Sequence, residues 1–140
     1  MKYLILSFLV LSSNFVFAAD ENFEVTVTIN NLEKEVGQLN ISLANDPTDF
    51  LTSKKESTLK ATLPAQKNAM TYKFKGLKAG KYAVSVFHDE NSNGKMDTNF
   101  IGIPKEPYGV SGKPKFGKPK FEDCSFEVKN SQSISIDLKN

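Results

Sequence analysis

A chain of 140 residues, 39 % of them hydrophobic and 24 % charged, holds enough apolar material for one domain with a self-sufficient core. Its 18 basic residues are all lysine, against 16 acids, for a formal net charge of +2. That near-neutral balance and the missing guanidinium exclude nucleic-acid recognition, and the single cysteine, Cys124, excludes an internal disulfide.

The chain opens on Lys2, the apolar run Tyr3 to Leu11, and Val16-Phe17-Ala18, which puts compact residues where a signal peptidase reads. The run falls short of the ~20 apolar residues that a membrane-spanning helix needs. Residues 1–18 are expected to be a secretory signal cleaved after Ala18. Residues 19–140 are then a single periplasmic or secreted domain, with no membrane span in the mature chain. No cysteine follows the run, so no lipid anchor is expected at that point.

From Phe23 the period is two. Phe23, Val25, Val27 and Ile29 alternate with Glu24, Thr26 and Thr28, a strand with one dry and one wet face. Asn30-Asn31 turns the chain, and Leu39, Ile41 and Leu43 mark a second strand. A loop from Asn45 to Phe50 follows, with Phe50 and Leu51 expected to tuck back against the core, and Ser53 to Leu59 can make one helical turn. Leu59, Ala61 and Leu63 give a third strand, and Met70, Tyr72 and Phe74 a fourth. The fifth is apolar on both faces, with Tyr82, Val84 and Val86 against Ala83 and Phe87, which places it in the middle of a sheet. Cys124, Phe126 and Val128 form the sixth, which makes Cys124 a buried thiol, and Ile134, Ile136 and Leu138 form the seventh. Seven short strands at hairpin spacing indicate an antiparallel sandwich or barrel. Lys60, Lys73, Lys75 and Lys129 read as solvated sheet faces that discourage edge pairing.

The chemistry is concentrated after the fifth strand. Asp89-Glu-Asn-Ser-Asn-Gly-Lys-Met-Asp97 fits D-x-[DN]-x-[DN]-G-x-x-D, the alternating oxygen donors of a calcium loop. Asp89, Asn91 and Asn93 would offer side-chain oxygens, Gly94 the sharp turn, Lys95 its backbone carbonyl, and Asp97 the closing carboxylate. The twelfth position, where an EF-hand carries a bidentate glutamate, is Phe100, and a strand replaces the entering helix. Glu90, Glu106, Glu122 or Asp123 could complete the shell. With so few charges the affinity is expected to be weak, about 10⁻⁴ to 10⁻³ M. The metal-free alternative is an ordinary Asx-rich turn, since Asn-Ser-Asn-Gly is good turn chemistry by itself.

The connection from 89 to 120, between the fifth and sixth strands, spans 32 residues and shows no period. Its aromatic content argues for an ordered flap. Either those aromatics cover an open end of the sheets, the preferred reading, or Phe100, Tyr108 and Phe116 line a ligand groove.

Several stretches carry a resemblance: Gly80-Lys-Tyr-Ala-Val84, Phe87 through Pro104, Glu106, Tyr108-Gly109, Phe116-Gly117 and Phe121-Glu-Asp123. Over essentially the whole mature chain the sequence resembles the small exported bacterial proteins grouped as domain of unknown function 2141. Val110 and Gly112 depart from the pattern, where an aromatic and an asparagine are commoner. The resemblance implies a sandwich like those of transthyretin-type and collagen-adhesin repeat domains, and it supplies no catalytic residue. The expected fold is therefore a seven-stranded antiparallel Greek-key sandwich, immunoglobulin-like or transthyretin-like. The expected function is a monomeric, calcium-stabilised, non-catalytic envelope module that binds a protein, glycan or small ligand through the flap. The alternatives are a hydrolase with His88 as general base beside Asp89, Glu90 and Glu106, and a purely structural envelope protein. His88 ends a strand and reads as a surface or supporting histidine.

Overall fold

The computed structural model describes residues 22–52 and 58–140, so the signal segment and most of the possible turn from Ser53 lie outside the described residues. Eight strands and one short helix follow in order: β1 Phe23–Leu32, β2 Gln38–Ala44, β3 Thr58–Pro64, β4 Asn68–Leu77, β5 Gly80–Asp89, β6 Tyr108–Val110, α1 Phe121–Cys124, β7 Phe126–Val128 and β8 Gln132–Asp137. They form two sheets. One is ordered β4-β1-β8 and the other β3-β2-β5-β6, with β7 also paired to β5.

Period-two alternation builds the core. Val25, Val27 and Ile29 of β1 meet Leu39, Ile41 and Leu43 of β2 and Val84 and Val86 of β5, with Phe74 and Ile136 completing one apolar cluster drawn from both sheets. Complete burial of each such side chain is worth about 1.5–3 kcal/mol, so this sandwich-like layer is the main favourable term in folding. β5 lies centrally, as its two apolar faces require: β2 pairs along one edge, and β6 and β7 share the other. Phe50 is buried against Phe121, with ring centroids 6.0 Å apart, whereas Leu51 is exposed.

The structure corrects the expected seven antiparallel strands in three ways. An additional strand, β6, lies inside the connection that shows no sequence period; at three residues it is too short to have one. Gly109 allows it in, because a Cβ there would sit 2.5 Å from Ile136 Cγ2. Second, β1 and β8 run parallel, in register from Val25 opposite Gln132 to Asn30 opposite Asp137. Third, Cys124 ends α1 and does not begin a strand; it is fully buried all the same. Leu59 on edge strand β3 is 47 % exposed, and Tyr72 and Phe126 are only half-buried, because outer strands have no layer beyond them to cover an alternating face. No helix among the described residues is long and apolar enough to cross a membrane.

Candidate metal centre

β5 delivers two adjacent polar residues to the head of the calcium-like loop, and its alternation sends them to opposite faces. His88 follows Val84 and Val86 inward and is 1 % exposed. Its backbone N–H donates to the Pro107 carbonyl at 2.8 Å, and its Nε2 lies 2.7 Å from the Val36 carbonyl oxygen. A carbonyl can only accept, so that nitrogen carries the proton. His88 is thus a buried brace, not a surface residue.

Asp89 turns the other way and is also fully buried, beneath its own loop. Gln38 Nε2 and Asn40 Nδ2, on the outer face of β2, donate to Asp89 Oδ2 at 3.0 and 3.3 Å. The Gly94 N–H donates to the same oxygen at 2.7 Å, and the Asn93 N–H to Oδ1 at 3.1 Å. Burial alone would raise this carboxyl's pKa. The bonds from Gln38, Gly94, Asn93 and Asn40 outweigh it and hold the group below the usual aspartate value.

The remaining predicted donors close the ring. Asn91 Oδ1 accepts from the Asn93 N–H at 3.1 Å, and Asn93 Oδ1 from the Lys95 N–H at 2.8 Å. Both amides also point their NH2 ends at Asp97, Asn91 to Oδ2 at 2.6 Å and Asn93 to Oδ1 at 3.0 Å. Asp89, Asn91, Asn93 and Asp97 are therefore joined through one short turn, with Gly94 at φ +76° at its apex. Lys95 contributes backbone only, and its side chain is not ion-paired among the described residues.

Glu106 is the acid that folding brings to the loop. It is buried, and its two oxygens accept from the N–H groups of Glu90 and Asp97, each at 3.0 Å, clamping both ends of the turn. Of the other candidates, Glu90 pairs outward with Lys34 at 2.8 Å, Asp123 pairs with Lys115 at 3.2 Å, and Glu122 is exposed on α1. Among the described residues no three His, Cys, Asp or Glu side chains are grouped to hold a metal ion. What the loop offers is two carboxylates, two amide side chains and a backbone carbonyl, a neutral-rich oxygen set suited only to weak binding of a hard cation.

Sequence reasoning misses Gln38, Asn40 and Gly37. Alternation puts Gln38 and Asn40 on the wet face of β2, but only the register, Gln38 opposite Asp89, shows what they touch. Gly37 has φ +70°, and a Cβ there would fall on the Asp89 carbonyl oxygen and 2.7 Å from that of Glu90. It is the close approach that lets β2 begin against the loop.

The three aromatics named for a groove are placed differently from one another. Tyr108 is half-buried in β6, opposite Phe87. Phe100 is 99 % exposed, and Phe116 is fully exposed, so neither covers an open end of the sheets. Phe121, just after the connection, is the aromatic that is buried, packed with Phe50 against Ala44 and Ala83. The open cavity of about 400 Å³ beside Phe116 is lined by Lys115, Lys118 and Lys120 with Glu122 and Asp123, and by neither Phe100 nor Tyr108.

Fold and site together define an all-β protein of two sheets, with an Asx-rich loop clamped at the end of its central strand. The chain belongs to the family described as "Uncharacterized protein conserved in bacteria (DUF2141)", whose model matches residues 27–135, from β1 through β8 and so across the whole loop. No curated protein and no solved structure matches it.

Proposed function

We propose that this protein is an exported, non-catalytic module of the periplasm or cell envelope whose 89–97 loop binds calcium and whose 89–120 connection is its contact surface for a protein, glycan or small ligand. A Greek-key arrangement of the immunoglobulin or transthyretin kind belongs to the same proposal, supported by the two sheets sharing one core. The observation that carries the calcium reading is the closure of Asp89, Asn91, Asn93 and Asp97 around a single turn, each within one hydrogen bond of another. In that ring each asparagine carbonyl oxygen uses one lone pair on a backbone N–H and keeps a second. Among the described residues the Asp97 carboxylate is held only by two amide NH2 groups, and it lies at the half-exposed side, where a cation would displace them. The hydrolase alternative loses support from His88, which is buried and whose Nε2–H is committed to Val36.

The test is a thermal melt of residues 19–140 in chelator and in millimolar calcium. Calcium at a hundredfold excess over its dissociation constant stabilises the folded state by about 2.7 kcal/mol, roughly 10 °C for a domain of this size. Asp97→Asn is expected to abolish that shift; in chelator it sets an NH2 against one of the two asparagine NH2 groups at a half-exposed site and costs about 1 kcal/mol or less. Magnesium is expected to substitute poorly, because it demands rigid octahedral geometry and holds its water. Superimposable wild-type melts in chelator and calcium would overturn the reading and leave residues 89–97 as a self-satisfied turn.

A further inference from the structure

The 97–105 segment is a hairpin built to hold apolar side chains in water. The Asn99 N–H donates to the Ile103 carbonyl at 2.9 Å, and the Lys105 N–H to the Asp97 carbonyl at 2.8 Å, with a bridge between Thr98 and Pro104. Asn99 Oδ1 then accepts from the Ile101 and Ile103 N–H groups, at 3.0 and 2.9 Å, and Glu106 grips the base through Asp97. On this braced tip Phe100 is 99 %, Ile101 65 % and Ile103 54 % exposed. Three large apolar side chains in four residues, kept out of the core by a dedicated hydrogen-bond frame, mark an interaction site.

We propose that this tip docks on an anionic lipid bilayer, inserting Phe100, Ile101 and Ile103 into the interface. The proposal rests on the reading of the 89–120 connection as a contact surface, and it does not depend on calcium. Two features favour a bilayer over a protein partner. The first is shape. A stable protein interface buries about 800 Å² per partner, and three side chains on a protruding turn supply only part of that, whereas a bilayer interface accepts a small convex wedge. The second is charge. Lys95, Lys105, Lys113, Lys118 and Lys120 form no ion pair among the described residues, whereas the four acids of the same connection are all engaged: Asp89 and Asp97 in the turn, Glu106 on backbone N–H groups, and Glu90 outward with Lys34. The hairpin itself carries Lys105 at its base and no acid between Thr98 and Pro104, so the face it presents is apolar with a cation at its foot, as a negatively charged leaflet favours. Phe116 repeats the composition, fully exposed among Lys113, Lys115 and Lys118.

The chain has no tryptophan, so Phe100→Trp places a single fluorophore at the tip. With residues 19–140 in chelator, a blue shift is expected on adding phosphatidylglycerol–phosphatidylethanolamine vesicles, and none with phosphatidylcholine. In co-sedimentation the wild type is expected to bind the anionic vesicles, and Phe100→Ser combined with Ile101→Ser to weaken that binding about tenfold or more. Lys105→Glu is expected to weaken it several-fold at low salt and little at high salt. Because both positions are exposed, the variant is expected to melt with the wild type, which a thermal melt of the same sample checks; Phe100→Ser alone serves if the pair destabilises. Absence of binding by the wild type, or equal binding by the serine variant, overturns the proposal. So does concentration-dependent self-association in sedimentation velocity that Phe100→Ser removes, which would assign the tip to a second copy of the chain.

Discussion

Asp89→Asn is the sharpest single probe of how the loop is held, because it keeps the volume and removes only the charge and one acceptor. In the wild type Oδ2 receives three donors and Oδ1 one. An asparagine amide must put its NH2 at one of the two places. At the Oδ2 place it would face the N–H of Gly94 as well as Gln38 and Asn40; at the Oδ1 place it would face the Asn93 N–H alone. The second orientation is the cheaper, because the Asn93 N–H keeps its bond to Asn91 Oδ1, and it weakens the three charge-assisted bonds at Oδ2 to neutral ones. A hydrogen bond to a charged group contributes about 1.5–3 kcal/mol and a neutral one about 0.5–1.5, a difference of about 1 kcal/mol for each of the three. The expected loss is therefore about 2–4 kcal/mol, a large share of the 5–15 kcal/mol typical of a whole domain. The assay is urea denaturation at pH 7 in chelator, so that metal plays no part. The pH dependence carries the same information. The folded Asp89 carboxyl titrates below its unfolded value of about 3.9, so its contribution is complete above that pH and lost as pH falls through the lower, folded value. The difference between wild type and variant should narrow in that acid window. A loss at pH 7 below about 0.5 kcal/mol, the size of a surface change, would refute the account of Asp89 as the anchor of the loop.

Gly37→Ala should cost at least about 2 kcal/mol, from the left-handed backbone and the collision with two carbonyls of the loop, read as a lowered urea midpoint. Burial, with Asp123 adding to it, pushes the Cys124 thiol up to about 11, so Ellman's reagent should label the folded protein only as fast as it unfolds. A raised folded pKa also means that stability is intact below the unfolded thiol value of about 8.5 and declines as pH rises towards 11; Cys124→Ala should remove that alkaline limb. Leu43→Ala, at 1 % exposure between the two sheets, should cost about 2–5 kcal/mol by the same denaturation assay.

The inner faces were legible because alternation survives wherever a strand has a layer to pack against. Val25, Val27, Ile41, Leu43, Val84 and Val86 all point inward as their spacing says. It failed at the margins for a physical reason: Leu59, Tyr72 and Phe126 keep the pattern on strands with little to cover them. The loop's grouping was legible too, since its bonds join neighbours two to six residues apart, and the five positions read as ligands, with an Asx-rich turn as the alternative, contain them. Their supports were not. Gln38 and Asn40 reach Asp89 across strand register, which no local spacing encodes, and Glu106, one of four acids the sequence offers, is singled out only by the folded-back connection that takes it to the N–H groups of Glu90 and Asp97. Nor does composition reveal exposure: Phe100, inside the connection, and Phe121, just after it, are the same residue type, one in water and one buried.

Asp97 is the residue through which the loop and the hairpin meet. Its carboxylate takes the amides of Asn91 and Asn93, its N–H is held by Glu106, and its carbonyl receives the Lys105 N–H that closes the hairpin base. A cation drawn to that carboxylate would leave the two backbone bonds intact, because they use different atoms. Occupancy of the loop would therefore leave in place both the hairpin base and its tip, whose frame is Asn99 and its own neighbours. Deleting Glu106 would act in the opposite sense, releasing Asp97 and Glu90 together while leaving all four side chains of the ring in place. The two perturbations separate what folds the loop from what the loop could bind.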